Sequence, residues 1–203
     1  MSGRVVASPA SSLAGRSVDA VVIGASAGGL EALMAILARL PASYRLPLVA
    51  VLHLPSHGES RLAEVLAARL ALPVKEAADK ECIAAGTLYV APGGYHLLIE
   101  QDNSFSLSCD PPVHYSRPSI DVMMESAADA WGARLAGILL TGANDDGADG
   151  LARIGEHGGL TVVQDPGEAA VATMPRAAIS RRAPDLILGL ADIHALLLEL
   201  DKH

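Results

Sequence analysis

The sequence predicts a doubly wound α/β fold: a mostly parallel sheet with helices on both faces and a small β-hairpin at one edge. Three observations carry this. Apolar runs rich in Val, Ile and Leu alternate with stretches whose apolar residues recur at helical spacing. The strand-like runs are nearly continuous in apolar residues, as strands buried on both faces are. At 203 residues and 51% hydrophobic, the chain can bury one sizeable core but hardly two. One domain over residues 18–203 is expected, behind a flexible leader of small residues, 1–17.

Val18 to Gly24, VDAVVIG, is continuous in apolar and β-branched residues and reads as the first strand. Gly29 to Pro41 then sets Leu30, Leu33, Met34, Leu37 and Leu40 on one helical face. Leu46 to Pro55 is a second buried-strand run containing His53, and Glu59 to Leu70 is an alanine- and leucine-rich helix. From Gly86 to about Ser108, GTLYVAP and YHLLIEQDNSFSLS are short, turn-bounded and partly alternating. That is the pattern of a hairpin or meander covering a sheet edge. The βα rhythm then returns, with helix over 119–131, strand over 135–142, helix over 146–158 and strand over 159–165. A helix near 174–182, a short strand in DLILG and a closing helix in ADIHALLLEL follow.

In open parallel sheets ligands bind beyond the carboxyl ends of the strands. The residues delivered there are Ser26, His53, Thr141, Asn144, Asp145, Asp146, Gln164 and Asp165. The glycine turn around Ser26 admits two readings, because the N–H groups at a helix start hold a phosphate or a developing oxyanion equally well. A dinucleotide site fails on spacing, since Ser26 stands where G-x-G-x-x-G needs its second glycine, and His53 stands where a ribose-binding carboxylate is expected. A Walker A loop fails because no Gly-Lys-Ser/Thr follows. A hydroxyl, an imidazole and a carboxylate are the groups of nucleophilic hydrolysis, in which the imidazole takes the hydroxyl proton and the carboxylate orients the imidazole. Residues 24–28 fit G-x-S-x-G, but the order Ser, His, Asp is not that of α/β-hydrolases.

The formal charge of −8 leaves no basic stripe for a nucleic-acid backbone. Cys82 and Cys109 have no metal-ligand spacing and read as isolated buried thiols, so no metal and no cofactor is called for. No segment approaches the roughly 20 apolar residues of a membrane span, and a cytoplasmic location is expected.

Residues IGASAGG (23–29), HLP (53–55), APGGYH (91–96) and LTGANDDGADG (140–150), with RPSIDVMMESAA (117–128) and MPRAAI (174–179) in the same order, resemble the catalytic domain of the chemotaxis protein-glutamate methylesterase family, CheB. The likeness spans about residues 18–200. It implies Ser26 as nucleophile, His53 as general base and Asp146, which directly precedes the Gly-Ala pair, as the orienting carboxylate. It implies hydrolysis of γ-glutamyl methyl esters on methylated chemoreceptor-like helical proteins, releasing methanol, with deamidation of glutamine as a related activity. The backbone N–H groups of Ala27 and Ala143 are the expected oxyanion donors, although Ala143-Asn144 replaces the Met-Gly common in the family. Arg117 and Arg176 are candidate binders of neighbouring carboxylates. Only about 17 residues precede the first strand, so control by a receiver domain within the chain is not expected. A separate receiver or methyltransferase protein is then a candidate partner. The alternative is a non-catalytic binding module that keeps the fold.

Overall fold

The computed structural model describes residues 16–53 and 61–202. Most of the leader, residues 1–15, and residues 54–60, including Leu54 and Pro55 of the HLP segment, lie outside the described residues. Nine strands alternate with helices in this region: β1 (Ala20–Ala25), α1 (Gly29–Leu37), β2 (Leu48–Leu52), α2 (Leu62–Ala67), β3 (Val74–Glu76), β4 (Leu88–Val90), β5 (His96–Ile99), β6 (Phe105–Ser108), α3 (Ile120–Trp131), β7 (Leu135–Leu139), α4 (Ala148–Glu156), β8 (Leu160–Gln164), α5 (Thr173–Arg181), β9 (Leu186–Leu188) and α6 (Leu190–Leu200).

Seven strands form one parallel sheet in the order β3-β4-β2-β1-β7-β8-β9. Strand alternation divides the core in two. Val21, Ile23, Ala50 and Ile138 face α1, α2 and α6, whereas Val22, Val49, Val51 and Leu139 face α3, α4, α5 and the hairpin. Both faces are therefore covered, which is why the strands read as unbroken apolar runs. Gly24 lets α3 lie close on β1, since a Cβ there would stand 2.3 Å from Ile120 Cγ2.

The hairpin bounds and the cysteine burial are corrected. Residues 86–90 are no part of a hairpin: Leu88–Val90 is a fully buried strand paired in parallel with both β2 and β3. The antiparallel hairpin is β5–β6 alone, covering the β4 side of the sheet through an edge-on Tyr89–Phe105 contact at 4.9 Å. Cys82 and Cys109 are both exposed rather than buried. Arg16, assigned to the leader, reaches the Gly158 carbonyl at 3.1 Å.

Candidate active site

Strand order reverses around β1, which has the earlier β2 on one side and the later β7 on the other. That is the switch point at which such sheets bind ligands, and Ser26 follows β1 directly. In the parallel register Ala25 pairs with Leu52, so Ser26 and His53 leave adjacent strands side by side. The His53 N–H donates to the Ala25 carbonyl at 3.1 Å, and the Ser26 N–H to the Thr141 carbonyl at 3.0 Å. Gly28 adopts φ +75° at the start of α1, and a Cβ there would press to 2.7 Å from Ala170 Cβ.

Asp146 is fully buried and accepts four hydrogen bonds: from His53 Nε2 at 2.8 Å, Ser119 Oγ at 2.8 Å, the Ile120 N–H at 2.8 Å and the Asp121 N–H at 3.0 Å. The last three donors make it an anionic cap on α3. Burial opposes its ionisation, but the bonds from His53, the Asp121 and Ile120 N–H groups and Ser119 outweigh it and hold the carboxyl below the ordinary carboxylate range. An ionised Asp146 only accepts, so His53 carries its proton on Nε2 and leaves Nδ1 as the basic nitrogen. Nδ1 lies 3.5 Å from Ser116 Oγ, and no hydrogen bond joins the Ser26 and His53 side chains among the described residues.

The remaining sequence candidates separate into framework and open positions. Thr141 Oγ1 donates to the Ala27 carbonyl and accepts from the Val171 N–H, both at 2.9 Å, tying the Ser26 turn to the 170s loop. Gln164 Oε1 accepts from the Thr141 N–H at 2.8 Å, and Asp165 Oδ1 from the Gly167 N–H at 2.7 Å, so both are structural. Ala27 and Ala143 are exposed beside the crevice. Arg117 donates through Nη1 to the carbonyls of Cys109 at 2.7 Å and Asp110 at 3.0 Å. Arg176 is exposed in the first half of α5. Asp145 is exposed and lies 3.2 Å from His114 Nδ1.

Sequence reasoning missed the scaffold around Asp146. Asp121, 4% exposed, accepts from the Gly147 N–H at 2.9 Å and the Gly150 N–H at 2.7 Å. His96 is buried: its Nδ1 accepts from the Ser119 N–H at 3.2 Å, and its Nε2–H donates to the Pro111 carbonyl at 3.1 Å. His114 Nε2 stands 3.4 Å from Asp121 Oδ2. A serine before an apolar helical run was the one available signal, marking Ser119 as the N-cap of α3.

The CheB methylesterase family model matches residues 21–197. A protein of Leptospira interrogans, provisionally named a protein-glutamate methylesterase/protein-glutamine glutaminase, is 46% identical over 185 residues, covering 91% of this chain and 96% of that protein. A protein-glutamate methylesterase/protein-glutamine glutaminase of Symbiobacterium thermophilum is 39% identical over 85% of this chain, which spans 48% of that longer protein. The crystal structure of the Thermotoga maritima CheB methylesterase catalytic domain superposes with a TM-score of 0.86 at 33% identity, covering 91% of this chain and 99% of that one. The chain belongs to the CheB methylesterase family of carboxylic ester hydrolases.

Proposed function

We propose that this chain is a protein-glutamate methylesterase, hydrolysing γ-glutamyl methyl esters on helical, chemoreceptor-like proteins with Ser26 as nucleophile, His53 as general base and Asp146 as the orienting carboxylate. The observation that carries this is the 2.8 Å contact of His53 Nε2 with a fully buried Asp146, beside the strand end that holds Ser26. His53 Nδ1 takes the Ser26 proton as Oγ attacks the ester carbonyl. The N–H groups of Ala27 and Ala143 receive the oxyanion. The imidazolium then protonates the departing methoxide, giving methanol and an acyl-enzyme on Ser26. Water, deprotonated by His53, hydrolyses the acyl-enzyme to free glutamate. A glutamine side chain runs through the same acyl-enzyme with ammonia leaving, so the reading includes deamidase activity.

Arg176, exposed at the start of α5, is assigned to carboxylates flanking the scissile ester. Arg117 has its Nη1 on two main-chain carbonyls and is assigned to holding the loop before α3. The relatives' names and the match along most of the chain support this reading over a non-catalytic module. It implies a cytoplasmic site of action, and no described helix is long and apolar enough to cross a membrane. The test is methanol release from a methylated receptor, with a serine-reactive phosphonate mapping the nucleophile. Release that persists in Ser26→Ala, or an adduct elsewhere than Ser26, refutes it.

A further inference from the structure

We propose that Asp121 is a positioning residue for the candidate catalytic pair: it caps α4 and so fixes the turn from which Asp146 reaches His53, while Asp146 caps α3 and fixes Asp121. The inference rests on the reading that Asp146 orients His53. The two carboxylates are exchanged between two helix starts. Asp121 Oδ1 binds the N–H of Gly147, the residue directly after Asp146, and that of Gly150 one turn on. Asp146 Oδ1 binds the N–H of Asp121 itself. Each backbone that carries one carboxylate is thus held by the other, and neither can shift without loosening its partner. The orientation of His53 depends on this closed ring, because the imidazole meets Asp146 through a single 2.8 Å contact.

The pairing is unequal. Asp146 has four donors, whereas Asp121 has two backbone N–H groups and, on its other oxygen, His114 Nε2 at 3.4 Å. Burial, and next the charge of Asp146, push the Asp121 carboxyl up to about 7 in spite of the Gly150 N–H. The charged or titratable groups around it are Asp146 and Asp149 from the α4 side, His114 and beyond it Asp145, and Glu125 one turn along α3. His96 packs against the start of the same helix. Asp121 thereby supports Asp146 by geometry, through the N–H groups it holds at the start of α4.

The test is Asp121→Asn in the full chain, which keeps an acceptor oxygen for Gly147 and Gly150 and removes the charge. The expected result is a kcat about ten-fold lower at unchanged KM, since sub-ångström misplacement of a catalytic group is costly. The proton resonance of His53 Nε2–H, read by NMR without any substrate, should move upfield. A merely structural prop would lower activity and leave the resonance in place, and that result overturns the proposal. Asp121→Glu keeps the charge but displaces the acceptor by a methylene. It should move the resonance too, and it decides the matter if the asparagine variant does not fold. Wild-type protein that releases no methanol from a methylated receptor would sink the esterase reading while leaving the resonance test intact.

Discussion

Replacing Asp146 by alanine should cost both activity and a large part of the stability. The substitution strips the acceptor from four donors: His53 Nε2, Ser119 Oγ and the N–H groups of Ile120 and Asp121. An unsatisfied buried donor costs about 1–3 kcal/mol. His53 and the Ser119 hydroxyl can turn towards other partners, but the two amide donors are fixed in the first turn of α3. Those two alone predict a loss of roughly 2–6 kcal/mol, against a total stability of about 5–15 kcal/mol. At about 2–4 °C per kcal/mol for a chain of this size, Tm should fall by roughly 5 °C or more. In Asp146→Asn the amide oxygen still accepts from Ile120 and His53, and the amide NH₂ meets Ser119 Oγ, which can accept, and the Asp121 N–H, which cannot. One backbone bond is lost instead of two, so about half the destabilisation is expected. The orienting charge is gone in both variants, and kcat should drop by up to about 10⁴-fold, as when the carboxylate of a Ser-His-Asp triad is neutralised. Thermal unfolding followed by circular dichroism and methanol release from a methylated receptor read the two effects. An alanine variant melting within 2 °C of wild type would refute the capping argument, and an asparagine variant with undiminished kcat would refute the orienting role.

The parallel sheet was legible because strands buried on both faces need apolar residues at nearly every position, and β1, β2, β7 and β8 are buried throughout. The short strands were not. β3 is an edge strand of three residues, Val74, Lys75 and Glu76, two of them charged and exposed. β4, Leu88–Val90, is too short to show whether one face or two is buried, so its place between β2 and β3 comes from pairing alone. Ser26, His53 and Asp146 were among the chemistry-bearing residues that several strand ends bring to one edge, and the family resemblance singled them out from the others. Their support did not stand out. Asp121 sits in the first turn of a helix, where an acidic residue needs no explanation beyond the dipole, and its bond to Gly147 spans 26 positions. The exposed cysteines escaped for a related reason. Cys82 lies in an isolated bridge to Ser104 and Cys109 just after β6, and neither position has a periodicity that fixes its face.

Ser26→Ala and His53→Ala should each reduce kcat for ester hydrolysis by several orders of magnitude, and the double variant should be no worse, because a base without its nucleophile has nothing left to do. Losses that multiply would separate the two residues. Gly147→Ala should lower Tm by several degrees, since φ is +95° and the new Cβ would stand 2.5 Å from Leu139 Cδ1 and 2.7 Å from Ile120 Cγ2. An unchanged Tm would mean that the turn before α4 relaxes freely. Arg176→Ala should raise KM for the methylated receptor several-fold and leave kcat nearly unchanged, and an unaltered KM would remove it from the substrate site. The pH dependence of stability follows from the two buried carboxyls, which act in opposite directions. Asp121 binds its proton more tightly in the fold, with its carboxyl raised from 3.8 to about 7. Its contribution is therefore complete below the unfolded value near 4 and is lost as pH rises towards 7. Asp146 is held below its ordinary value, so its contribution is present above about 4 and is lost only as pH falls further. Between pH 5 and 8 only the Asp121 effect varies. Asp121→Asn cannot ionise, so the Tm of the variant minus that of wild type should rise from pH 5 to about pH 7 and level off above it, while other titrating groups cancel in the difference. One pH unit of displacement is worth about 1.4 kcal/mol, or roughly 3 °C here, which calorimetry resolves. A difference that stays flat from pH 5 to 8 would mean that Asp121 is already ionised in the fold at pH 5, and that two adjacent helix starts carry two full negative charges with His53 and His114 to balance them.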